Sequence, residues 1–170
     1  GSGNLAPFLI ANADTVTNNG HIEVSPSNGN AVGAFFDDQG EMINNGLISS
    51  KYYGSSTSIS TTGIISTEVT NPGKIYVVGK NTYGIFSNDG LTLDNSGVIY
   101  VNGSNTSIGV AVASLSSNIT NSGKVIVTDD SDSIDSFGFD FQTSIATLNN
   151  SGHIEADIAI RANYSLDLTK

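Results

Sequence analysis

Asn-x-Gly followed by an apolar residue two places on occurs six times, at Asn18-Asn19-Gly20, Asn44-Asn45-Gly46, Asn71-Pro72-Gly73, Asn95-Ser96-Gly97, Asn121-Ser122-Gly123 and Asn150-Ser151-Gly152. Successive glycines stand 26, 27, 24, 26 and 29 residues apart. A self-similar period in this range is the signature of a solenoid, in which each repeat is one supersecondary unit stacked on the next. It leaves little room for a fold built around a single central nucleus.

Aligned on their glycines, the repeats agree well beyond the turn. Four residues earlier stand Val16, Met42, Val69, Leu93, Ile119 and Leu148, and two residues later Ile22, Ile48, Ile75, Ile99, Val125 and Ile154. Four residues after the glycine come Val24, Ser50, Val77, Val101, Val127 and Ala156. Polar or mixed residues alternate with these, so the local period is two and each repeat supplies a strand, a tight corner and a second strand. A third apolar stretch recurs as Val32–Phe36, Tyr83–Phe86, Ile108–Val112 and Phe137–Phe141, with Gly63-Ile64-Ile65 as a weaker copy and Pro7–Ile10 as an incomplete first one. The fold expected is all-β: a right-handed parallel β-helix with three short strands per coil and six to seven coils, the hand following from crossover preference. At a rung spacing of about 4.8 Å the rod would be roughly 30 Å long. Asn18, Asn44, Asn71, Asn95, Asn121 and Asn150 are then expected to stack as a ladder of amides, each asparagine tolerating the left-handed backbone of a sharp corner. Biased stretches at 54–62, 102–107 and 128–135 read as loops bulging from the corners.

Gly1-Ser2-Gly3 reads as a cloning remnant, leaving residues 4–170 as one β-helix segment. The chain starts part-way through a coil, and Leu166–Lys170 resembles the strand at Leu91–Asp94 just where another corner would be due, so both ends read as cuts through a longer solenoid. There is no cysteine, and hence no disulfide framework or thiol chemistry. With 16 acidic against 6 basic residues the formal charge is −10, which argues against nucleic acid or an anionic membrane as main partner. No apolar run is long enough for a helical membrane span.

Phrases such as Asn95-Ser96-Gly97-Val98-Ile99-Tyr100-Val101 and Asn18-Asn19-Gly20-His21-Ile22-Glu23-Val24 resemble the passenger repeats of bacterial type V autotransporters, and the resemblance runs from about Ala6 to Leu168. It implies a right-handed parallel β-helix, export across the outer membrane of a Gram-negative cell, display at the cell surface or secretion, and a virulence-associated role in adhesion, self-association or host interaction. The partner implied is a host surface protein or glycan, or another copy of the chain, while the segment could equally be a display stalk. Protease-bearing members carry a Gly-Asp-Ser-Gly type motif, which this chain lacks.

The residues themselves point away from catalysis. His21 and His153, the only histidines, follow corner glycines about five coils apart and cannot share a triad. Asp37-Asp38 and the cluster Asp129, Asp130, Asp132 and Asp135 are the candidate carboxylate pairs for the rival class, a glycan-active β-helix lyase or hydrolase of the tailspike kind. Arg161, the sole arginine, is distant in sequence from that acidic loop. The Asp129–Asp135 loop could also take Ca²⁺ weakly through oxygen ligands, although it lacks the glycine and closing glutamate of an EF-hand. The expectation is a non-enzymatic segment without catalytic residues, cofactor or dedicated metal. The candidate partner-binding surface is an outward stripe of Tyr76, Val98, Tyr100 and Ile126, rimmed by Lys74 and Lys124.

Overall fold

The computed structural model describes residues 5–11, 15–36, 40–130, 136–142 and 145–169. All regular structure among them is strand. The chain runs through β1 (Leu5–Ala11), β2 (Thr15–Asn18), β3 (His21–Val24) and β4 (Asn30–Phe36), then β5 (Glu41–Asn44), β6 (Leu47–Lys51) and β7 (Ser60–Ile65). Next come β8 (Glu68–Asn71) with β9 (Lys74–Ser87), β10 (Thr92–Asn95) with β11 (Val98–Val112), and β12 (Ser117–Asn121) with β13 (Lys124–Asp129) and β14 (Ser136–Phe141). β15 (Ala146–Asn150), β16 (His153–Glu155), β17 (Ile158–Ala162) and β18 (Leu166–Thr169) complete it. Every pairing is parallel and joins equivalent strands of successive coils. β2, β5, β8, β10, β12, β15 and β18 form a seven-stranded sheet, and the others an eleven-stranded one. The fold is a parallel β-solenoid. The six corners are separated by five turns, and partial coils at the ends make up the seven rungs of the first sheet.

The registers are those the glycine alignment predicts. Val16 pairs with Met42, Met42 with Val69, Val69 with Leu93, Leu93 with Ile119 and Ile119 with Leu148. These columns meet Ile48, Ile75, Ile99 and Val125 in one continuous core. Burying a branched aliphatic side chain such as Ile99 completely is worth about 1.5–3 kcal/mol over leaving it exposed, and each rung repeats that gain. The incomplete first copy also falls in place, with Leu9 opposite Ala34 and Ile10 opposite Phe35. At the other end Leu168 pairs with Leu148 but is 60% exposed.

The asparagine ladder forms, for a reason only partly foreseen. Asn18, Asn44, Asn71, Asn95 and Asn121 each donate Nδ2–H to Oδ1 of the next asparagine at 2.7–2.8 Å, ending on Asn150. The left-handed corner does not materialise: among the described residues the only non-glycine with positive φ is Leu115, and Gly29 and Gly90 are the only such glycines. Asparagine is therefore selected by its amide, which donates and accepts along the stack. Corner glycines are selected by clearance. Lys74 N donates to Gly46 O, Val98 N to Gly73 O and Lys124 N to Gly97 O at 2.8–2.9 Å. A Cβ on Gly73 or Gly97 would collide with the carbonyl oxygen of the glycine one rung away.

Two sequence expectations need correction. Residues 102–107 are not a loop: they lie inside β11, and β9 and β11 each run unbroken through a corner where two short strands were expected. Their peptide groups pair with those of the neighbouring rung, Asn102 with Val78 and Ser107 with Thr82, with a register shift between Gly103 and Thr106 absorbing the bend. Pairing of the backbone on both sides of the bend outweighs a loop-like composition. Likewise Ser60, Thr61 and Thr62 belong to β7, which extends the weak third copy.

The third stretch is apolar on both sides. Ala34, Ile64, Ile85, Val110 and Phe139 face the main core. On the outside Ile108, Ala111 and Phe137 make a small second cluster with Tyr83, Phe86 and Ile158. A bulge-like glycine separates the two sides: a Cβ on Gly84 would run into Ile99 and one on Gly109 into Val125.

Candidate functional site

The stripe foreseen from sequence is brought together on the outer face of the sheet formed by β6, β9, β11 and β13. Alternation along these strands turns Ile48, Ile75, Ile99 and Val125 inward, which leaves the residues between them outside. Register then stacks Tyr76 on Tyr100 and Tyr100 on Ile126, with Val98 between Lys74 and Lys124 in the adjoining column. The tyrosine rings lie 5.1 Å apart and nearly parallel, at 7°. They cover one face of each other, and all four stripe residues are half-buried rather than open apolar surface. Lys74 and Lys51 sit over the Tyr76 ring, their Nζ atoms 5.5 and 6.0 Å from its centre. Cation–π geometry of this kind holds the ammonium groups at the sheet surface.

At the edge of this face Lys51 Nζ meets Glu23 Oε1 at 2.7 Å. That hydrogen bond, then the attraction of the two charges, holds the Glu23 carboxyl below its ordinary range and raises Lys51. Tyr100 Oη lies 3.5 Å from Thr128 Oγ1, and Asn102 Nδ2 the same distance from Asp130 Oδ1. Ser49, which alternation also turns outward, is buried. His21 and His153 are exposed on strands at opposite ends of the face, as expected, and His153 Nε2 is 3.5 Å from Glu155 Oε2.

One feature of this face went unread in the sequence. Lys51, Lys74, Lys80 and Lys124 are all the described lysines, and all stand on β6, β9 and β13. The signal was available once the repeats were aligned, since Lys74 and Lys124 share a column and Lys51 and Lys80 lie within six residues of it on neighbouring rungs. A chain of net charge −10 thus gathers its described ammonium groups on neighbouring strands.

A second missed feature is an ion pair across the last rungs. Asp140 is fully buried and pairs in register with Arg161, whose Nε and Nη2 grip its two carboxylate oxygens at 2.7 and 2.6 Å. The Arg161 guanidinium lies over the Phe137 ring at 3.8 Å, and Gln142 Nε2 donates to Asp140 Oδ2 at 3.0 Å. Burial, followed by the nearby Asp140 charge, raises the Tyr83 phenol above its ordinary range. Sole arginine and buried carboxylate satisfy each other, which makes the pair structural.

Of the proposed carboxylates, Asp37, Asp38, Asp132 and Asp135 lie outside the described residues. Asp130 is exposed, its backbone N–H donating to Gly103 O at 3.0 Å. Among the described residues no three His, Asp or Glu side chains cluster as a metal site. A groove of about 620 Å³ opens where β7 and β9 give way to β8 and β10, lined in part by Phe35, Ile65, Glu68, Asp89, Leu91 and Leu115.

A family model described as the BigA third pectate lyase-like domain matches residues 2–163. The chain belongs to this family. No curated protein and no solved structure gives a significant match. The parallel solenoid described above agrees with membership of a pectate lyase-like family, and the match extends through every complete coil.

Proposed function

We propose that this BigA-family domain is a non-enzymatic segment of a bacterial cell-surface adhesin, built like an autotransporter passenger, which attaches to a host surface or to another cell through the outer face of β6, β9, β11 and β13. The observation that carries the reading is the gathering of Tyr76, Val98, Tyr100 and Ile126 with Lys51, Lys74 and Lys124 on one regular sheet face of a rod whose net charge is −10. Half-buried aromatics rimmed by charge are the composition of a contact surface. Stacked rungs hold them rigid, so little side-chain entropy is lost on contact. Beads coated with the chain should adhere to epithelial cells, and Tyr76→Ser with Tyr100→Ser should reduce adhesion. Adhesion and self-association both unchanged by that double substitution would remove this face from the proposal.

A second reading, a glycan-active enzyme, draws on the family description and on the groove that carries Glu68 and Asp89. Lysis of a polyuronate yields an unsaturated product that absorbs in the ultraviolet. Turnover of polygalacturonate by the chain, abolished by Glu68→Gln or Asp89→Asn, would favour it over attachment.

A further inference from the structure

We propose that the lysine–tyrosine face docks a linear sulfated glycan; this rests on the attachment reading and narrows its partner. Charge is the first argument. The chain carries −10 overall and repels polyanions, yet three of its four described lysines, Lys51, Lys74 and Lys124, stand on one face and Lys80 in the corner beside it. There Lys51 is neutralised by Glu23, and Asp130 and Glu155 stand at the far edge of the face, which leaves Lys74 and Lys124, on either side of Val98 beside the tyrosines, as the positive groups at its centre. Spacing is the second. Lys74 and Lys124 occupy the same outward column on either side of Val98, two rungs apart, or about 9.6 Å along the rod. Two ammonium groups held in one line at a fixed separation suit a linear polymer with anions at a matching repeat, because the first engaged group raises the effective concentration of the second. A globular acidic protein offers no such regular row.

The donor chemistry selects the anion. A planar carboxylate is gripped best by the fork of a guanidinium, and the sole arginine is already clamped on Asp140. Lysine ammonium groups are point charges with several donors, and they are joined here by the phenol O–H groups of Tyr76 and Tyr100. Because the two rings cover each other, they offer edges and hydroxyls more than open faces to a partner. Separate O–H and N–H donors of this kind fit the three outer oxygens of a sulfate ester, not the flat side of a sugar ring.

Heparin immobilised on a sensor surface provides the test, with desulfated heparin, polygalacturonate and an acidic protein as comparators. Expected is binding to heparin at low ionic strength that weakens steeply with salt and falls about tenfold on desulfation. Lys74→Gln with Lys124→Gln should weaken it about tenfold, while Thr17→Glu with Asn118→Glu, which lowers the net charge by the same two units on exposed positions of β2 and β12, should leave it within about twofold. Matching melting curves would show that both variants fold. No heparin binding at low salt, equal affinity for desulfated heparin or polygalacturonate, preference for the acidic protein, or equal losses in the two variants would each overturn the inference. Cell attachment separates its failure from that of the parent reading. If bead adhesion depends on the tyrosines but survives heparinase treatment of the cells, attachment stands and the sulfated glycan falls; if adhesion never depends on this face, both fall.

Discussion

Replacing Asn95 by alanine cuts the amide ladder at its middle. Asn95 is fully buried, accepts from Asn71 Nδ2 at 2.7 Å and donates to Asn121 Oδ1 at 2.7 Å. Alanine leaves both partners facing a cavity too enclosed for bulk water. An orphaned buried polar group costs about 1–3 kcal/mol, so the two together predict a loss of about 2–6 kcal/mol. For a chain of this size each kcal/mol corresponds to roughly 2–4 °C in Tm, which puts the expected fall at roughly 5–20 °C. Asn150 is the control. It closes the ladder, is only partly buried, and orphans just Asn121 Nδ2 where water can enter, so Asn150→Ala should cost about 1 kcal/mol or less. Thermal and guanidinium unfolding followed by circular dichroism would measure both. A cost for Asn95→Ala below about 1 kcal/mol, or indistinguishable from Asn150→Ala, would refute the claim that the ladder carries stability in the interior. Asn95→Asp refines the test. An ionised carboxylate accepts from Asn71 but cannot donate to Asn121, and burial raises its pKa. The variant should therefore be least stable at neutral pH and recover as acid protonates it.

Gly97→Ala places a methyl group against the Gly73 carbonyl and should destabilise by about 3 kcal/mol or prevent folding, whereas Gly20→Ala meets no neighbouring atom within 4 Å and should shift Tm little. Arg161→Leu leaves the fully buried Asp140 carboxylate without its counter-ion and should cost about 3–5 kcal/mol; the double variant Asp140→Leu with Arg161→Leu should recover most of that, as a double-mutant cycle by chemical denaturation can show. Asp157 accepts hydrogen bonds from Ser136 N and Oγ at 3.0 Å, which hold its carboxyl below the ordinary range. A depressed folded pKa gives stability that is present above the unfolded value and lost as pH falls through the folded one. Protection of the β17 amides, taken relative to the intrinsic exchange rate at each pH, should accordingly fall in acid for the native chain and show no such step in Asp157→Asn.

The ladder columns were legible because a parallel solenoid translates sequence period directly into spatial neighbours. Aligning six glycines therefore located Met42, Ile75 and Leu148 in the core and the asparagines in one line before any coordinate was known. The same alignment brought Tyr76, Tyr100, Val98 and Ile126 together as the candidate surface. Other details depended on backbone geometry that composition hides. Polar residues 102–107 look like a loop, but pairing with the neighbouring rung makes them strand. The corner asparagines look selected for a left-handed turn, but amide stacking selects them. Asp140 lies inside the apolar stretch Phe137–Phe141 and Arg161 stood out only as the sole arginine; their union appears only when the third stretches of the last coils are placed in register.

Sequence by itself determined the period, the inward columns and the vertical stacking, since each of these is a rule about residues one repeat apart. Tertiary structure decided what happens between columns and outside the core. It set how far a strand runs through a corner, which outward residues are covered and which face collects Lys51, Lys74 and Lys124. The physical reason lies in range. Repeat spacing encodes contacts along the rod, whereas the bend at each corner, and with it the set of side chains that share one surface, follows from packing among all the strands at once.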